Sequence, residues 1–95
     1  MDSILRKAIT ERRLIEIMYK GIIVVVEPYC YGVNQKGDLA FRAYEVANAQ
    51  KQDQDPWKIF EIMKITKFKL LTQKFEARSD YSPDTSGMSH IHCKI

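Results

Sequence analysis

The 95 residues contain neither G-x-x-x-x-G-K-[ST] nor G-x-G-x-x-G, so the chain lacks a glycine loop whose backbone N–H groups could cradle phosphate. Acid–base chemistry fares no better. Glu27, Glu45 and Glu61 fall singly on separate strand-like runs, and Cys30 or Cys93 would need a base held beside it to act as a nucleophile, so catalysis is not expected and no cofactor is implied. No apolar run approaches the ~18 residues of a spanning helix, and Met1-Asp2-Ser3 has none of the basic start of a secretory signal. The expectation is a cytoplasmic protein with no membrane partner. In that reducing compartment its two cysteines are expected to be thiols.

What is present suits one ordinary domain. A composition of 45% hydrophobic and 28% charged residues argues against disorder, and the length leaves no room for a second core. A chain this short buries only about 60 to 65% of its unfolded surface, so a homodimer would add useful burial. The charge is unevenly placed: Lys58, Lys64, Lys67, Lys69 and Lys74 stand against Glu61 alone, and the net charge of +3 resides in that segment. Such a cluster draws in polyanions by long-range attraction, or it guards a strand edge against aggregation; both readings stand.

Asp2 or Ser3 can cap a helix in which Ile4, Leu5, Ala8 and Ile9 recur at helical spacing. From Leu14 the period changes to two, with Ile15, Ile17 and Tyr19 alternating with polar residues up to a tight turn at Lys20-Gly21. Residues 22–26 are an unbroken β-branched run, expected where both strand faces are covered. Pro28 then suits a bend or an edge, which separates that run from a further strand over 29–33. Asn34-Gln35-Lys36-Gly37 is a hairpin turn, 38–46 the partner strand, 47–56 a polar surface loop and 57–64 another strand. After a break at 65–67, residues 68–75 form the next strand. Residues 79–87 read as turns, and in 88–95 helical and alternating periods compete, with β-branching favouring a strand. The sum is a mainly β fold with one N-terminal helix, a small antiparallel barrel over residues 1–78 with 79–95 packed against it.

The chemistry gathers in 38–65. Arg42, Tyr44, Trp57, Lys58 and Lys64 set cationic and aromatic side chains on two runs flanking one loop, the raw material for phosphate contacts and base stacking. Phe41, Ala43, Phe60 and Ile62 are better assigned to the core, and Trp57 and Tyr44 can equally well pack across strands. His90-x-His92-Cys93 is the one metal-like spacing. On a strand it would send Cys93 to the face opposite the histidines, leaving two ligands where structural zinc takes four, so no metal site is expected.

The order of features resembles the WYL domain. A leading helix, a strand ending in Tyr19, VEP at 26–28, a run ending in RAY at 42–44, and WKIFEIMKI at 57–65 carry the resemblance, which spans about residues 4–76. Two departures accompany it. Leu39-Ala40-Phe41 stands where the family has Trp-Tyr-Leu, and Lys58 and Lys64 stand where the family stretch Arg-x-Phe-x-Leu-Asp-Arg-Ile has arginines, so the planar fork that grips phosphate is replaced by point charges. The resemblance implies an SH3-like or Sm-like barrel of bacterial or phage type. It also implies a regulatory module binding single-stranded DNA or RNA or a nucleotide-type ligand. WYL domains usually accompany a DNA-reading helix-turn-helix, for which these 95 residues have no room. The resemblance then implies action by binding alone or on a protein partner.

Overall fold

The computed structural model describes residues 1–48, 55–81 and 87–95, with the side chains of residues 47 and 48 excepted. A helix, α1 (Asp2–Glu11), leads into six antiparallel strands: β1 (Arg13–Tyr19), β2 (Ile22–Asn34), β3 (Leu39–Asn48), β4 (Trp57–Glu61), β5 (Ile65–Lys74) and β6 (Met88–Lys94). They are ordered β4-β3-β2-β1-β5, and β6 pairs with β2. A 3-10 turn, Ile62–Lys64, carries the chain from one end of that order to the other. This is the mainly β architecture with a leading helix that the periodicity predicts. Its curl is compatible with a small barrel, although the sheet does not close: among the described residues β4 bonds only β3, and β5 only β1.

Alternation fixes which side chains turn inward. Ile15 and Ile17 of β1, Val24 and Val26 of β2, Phe41 and Ala43 of β3 and Phe60 of β4 share the concave face, and Leu5, Ala8 and Ile9 of α1 are buried against them. Phe41 and Phe60 lie opposite each other with ring centroids 5.4 Å apart, and Tyr19 meets Phe60 edge-on at 4.9 Å. Tyr19 also ties β1 to the edge strand β4, its hydroxyl accepting the Glu61 N–H at 3.1 Å. The helix is capped without a side chain, since Met1 occupies the N-cap and Asp2 instead pairs with Arg6 one turn on at 3.0 Å.

Four further expectations change. Pro28 does not divide a strand: β2 runs unbroken through it for 13 residues. The reason lies in its neighbours. β1 accompanies β2 as far as Val26 and β6 begins only at Cys30, so Pro28 falls where one side of β2 has no ladder to lose. The 22–26 run is covered on one face only, with Ile23 44% exposed on the other. The break between β4 and β5 comes at Ile62–Lys64, three residues before the expected place, and Met63 is 86% exposed at its apex. β3 also extends two residues into the expected 47–56 loop, whose residues 49–54 lie outside the described residues, as do 82–86 of the expected turn-rich connection.

Residues 88–94 are a strand, and Gly32 is what lets it dock. A Cβ on Gly32 would lie 2.0 Å from the His90 carbonyl oxygen, which is backbone and cannot swing aside. Gly32→Ala is therefore expected to displace β6 at a cost of about 2 kcal/mol. Hydrogen exchange checks it: protection should fall in β6 while the β1–β2 ladder keeps its own, and unchanged β6 protection would refute the close-packing account.

Candidate functional site

The register of β3 and β4 decides which candidate residues meet. Tyr44 is opposite Trp57 and Arg42 opposite Ile59, so these four share the convex face, whereas Lys58 stands opposite Ala43 on the concave side. The structure accordingly gathers three of the five sequence candidates. Trp57 meets Tyr44 edge-on at 5.2 Å, and the Arg42 guanidinium carbon lies 5.4 Å from the Trp57 ring centre. Lys58 is turned away and held by Glu45 at 3.0 Å. Lys64 sits past the far end of β4 in the 3-10 turn, paired with Glu61 at 2.6 Å, which lowers the Glu61 pKa and raises that of Lys64. Grouping Lys58 and Lys64 with the aromatic residues is thus a correction: one faces the other way and the other is at the other end of its strand.

The cluster is completed by residues that periodicity did not single out. The alternation that points Val24 and Val26 inward turns the Tyr29 ring to the same convex face, and a bulge between Pro28 and Cys30 keeps Cys30 there too, opposite Arg42. Tyr29 is fully buried there, 4.9 Å from Trp57, 4.8 Å from Tyr81 and 5.4 Å from Phe75. Glu27, 6% exposed, accepts the Tyr29 hydroxyl at 2.9 Å and receives Arg78 through both oxygens, from Nε at 2.8 Å and Nη2 at 3.1 Å. Arg78 spreads over Tyr44 with its guanidinium carbon 3.5 Å from the ring centre, and its N–H donates to Tyr29 Oη at 3.0 Å. The carboxylate raises the Arg78 pKa, so the guanidinium is a fixed positive charge.

One signal for this group was available. A lone glutamate inside the apolar stretch VVVEPY must be paired if it is buried, which called for an arginine from elsewhere in the chain. Residues 75–81, which carry no strand or helix, supply that arginine and close over the face. Asp80 accepts the Trp57 indole N–H at 2.9 Å, and the Tyr81 ring is stacked on Trp57 at 5.9 Å and 29°. One buried polar atom, Arg42 Nε, has no hydrogen-bond partner among the described residues, while the Tyr81 hydroxyl lies against the Cys30 thiol.

Burial beside the Cys30 thiol pushes the Tyr81 pKa up to about 12, and burial also raises that of Tyr29. In the unfolded chain a tyrosine titrates near 10. The folded state thus keeps protons that the unfolded state loses, and stability should be complete below pH ~10 and decline as pH rises towards ~12. Urea midpoints across this range test the point. Tyr81→Phe should flatten the decline, and a variant with the wild-type slope would show that Tyr81 is not responsible.

Other groupings are weaker. His90 and His92 lie side by side on β6 with ring centroids 5.0 Å apart, while Cys93 packs on the core side opposite Tyr31. Among the described residues no three metal-binding side chains converge. Cys30 and Cys93 form no disulfide, being on adjacent strands but opposite faces. On the outer face of β1, β2 and β5 an open groove of about 540 Å³ is lined by Glu16, Met18, Ile23, Lys67 and Lys69 among others. Among the described residues no helix is long and apolar enough to cross a membrane.

Comparison with known protein families, with curated proteins and with solved structures finds no match to this chain.

Proposed function

We propose that this protein is a small, non-enzymatic, WYL-like regulatory module that binds a nucleotide-type ligand or single-stranded nucleic acid through Arg42, Tyr44 and Trp57, joined by Arg78. One observation carries the reading. The Arg42 guanidinium lies over the Trp57 ring with its Nε buried and lacking an acceptor among the described residues, beside a second arginine spread on Tyr44. Phosphate oxygens supply such acceptors, and the rings offer the stacking that single-stranded nucleic acids use, each base worth about 1 to 3 kcal/mol. Arg42 offers the planar fork that Lys58 and Lys64 would lack, and Arg78, whose own fork is held by Glu27, adds positive charge beside it. A cytoplasmic location belongs to the same proposal.

Fluorescence anisotropy with short labelled DNA and RNA across a salt series tests it. Affinity should fall linearly with the logarithm of salt concentration, as phosphate contacts release counterions. Arg42→Ala should weaken binding, while Lys58→Ala should leave it unchanged. Absence of binding at tens of micromolar, for oligonucleotides and mononucleotides alike, would rule the reading out.

A second reading rests on the groove over β1, β2 and β5. Ile23 is exposed there, and Glu16 shares the face with Lys67 and Lys69. Such a surface is complementary to a second copy of itself, so this reading makes the chain a homodimer through that face. Light scattering decides it: Ile23→Glu should turn a dimer into a monomer, and a wild-type monomer would end the idea.

A further inference from the structure

The face proposed for the ligand is covered by the chain's own residues 79–81, and the manner of covering is informative. Tyr81 lays an aromatic ring on Trp57, and the adjoining Asp80 presents a carboxylate to the Trp57 indole N–H. A ring stacked on the indole with an anion one residue away is also what a nucleotide would present, through its base and its phosphate. Arg42 is close enough to the Tyr81 hydroxyl to stabilise negative charge there. We infer that residues 79–81 are a built-in competitor, filling the ring and anion subsites that a nucleoside phosphate would take, so that binding requires their release. The inference rests on the nucleotide-binding reading above.

The structure separates what would stay from what would leave. Arg78 is anchored twice by Glu27 and once by Tyr29, and it belongs to the site. Beyond it the hold weakens sharply. Ser79 and Asp80 are exposed, and among the described residues the one backbone hydrogen bond of residues 79–81 is a turn contact from the Tyr81 N–H to the Arg78 carbonyl at 3.2 Å. Asp80 and Tyr81 therefore stay down chiefly through their contacts with Trp57, Tyr29 and Cys30, and a ligand making equivalent contacts would offset their loss. Arg42 and Trp57 would exchange one set of partners for another, with the phosphate supplying the acceptor that Arg42 Nε lacks among the described residues. The expected ligand has a planar ring close to a phosphate, as in a nucleoside 5′-monophosphate or the 5′ end of an oligonucleotide.

Because Trp57 is the only tryptophan, its single indole N–H resonance reports on the site directly. Adenosine 5′-monophosphate titrated into the wild-type protein should shift that resonance. It should also speed exchange of the Tyr81 amide, while amides of β1 and β2 stay protected. Asp80→Ser combined with Tyr81→Ala should bind the nucleotide about tenfold more tightly, the size of a stacking contact no longer contested. Should the double variant lose stability, the wild-type exchange measurement stands by itself. If the wild type binds while the Tyr81 amide stays protected and the double variant binds no better, the competitor is disproved and the binding reading survives. If neither protein binds, both proposals fall.

Discussion

Phe41→Ala is expected to destabilise the fold by about 4 kcal/mol, near the limit for a single side chain in a chain of this size. Phe41 is fully buried at the centre of the concave face, stacked on Phe60, which is in turn met edge-on by Tyr19. Removing the ring takes away its burial and leaves a cavity walled by three strands, since Phe41 pairs with Phe60 on one side and with Tyr31 on the other. The walls cannot collapse easily. Each is pinned by its own ladder, and Tyr19 is held by its bond to the Glu61 amide. Urea denaturation would show the loss as a shift in midpoint at nearly constant slope. Phe41→Leu, which keeps most of the volume, should cost less than half as much. A loss below about 2 kcal/mol for the alanine variant would mean that the concave face is not the principal core.

Most of that core was legible because period two is a strong constraint. Phe41, Ala43 and Phe60 follow from alternation within their own strands, and so does the separation of Arg42 and Tyr44 onto the other face. What escaped depended on neighbours rather than on a strand's own residues. Pro28 reads as an interruption only until it is known that β1 stops at Val26 and β6 starts at Cys30. Lys58, two residues before Phe60, shares its concave face by alternation alone; what β4 does not show is Glu45 across the strand, which holds the lysine away from the aromatic cluster. The bulge between Pro28 and Cys30 kept Cys30 on the convex face beside Tyr29 and returned Tyr31 to the core, against the simple alternation of β2. Arg78 lies 51 residues from its glutamate partner, in a segment with no periodicity, so only the chemistry of a buried Glu27 could have pointed to it.

That pair carries the second large effect. Glu27→Ala should cost about 3 kcal/mol, because the carboxylate satisfies three donors at once: two on Arg78 and the hydroxyl of fully buried Tyr29. Breaking a fully buried pair costs more, but the Arg78 side chain is 37% exposed and can turn its charge to water, which moderates the loss. Tyr29 cannot: its hydroxyl still accepts the Arg78 N–H, but its own hydrogen is left buried without an acceptor. Two further variants separate these contributions. Arg78→Ala leaves Glu27 charged and nearly buried with only Tyr29 as donor, so it should destabilise by a similar amount. The double variant should lose clearly less than the two singles together, because neither charge is then stranded. Trp57 emission gives an independent readout: release of Arg78 should loosen residues 79–81 and expose the indole to water. If Glu27→Ala costs under 1 kcal/mol, or if the single losses simply add, the Glu27–Arg78 pair is not what holds the convex cluster together.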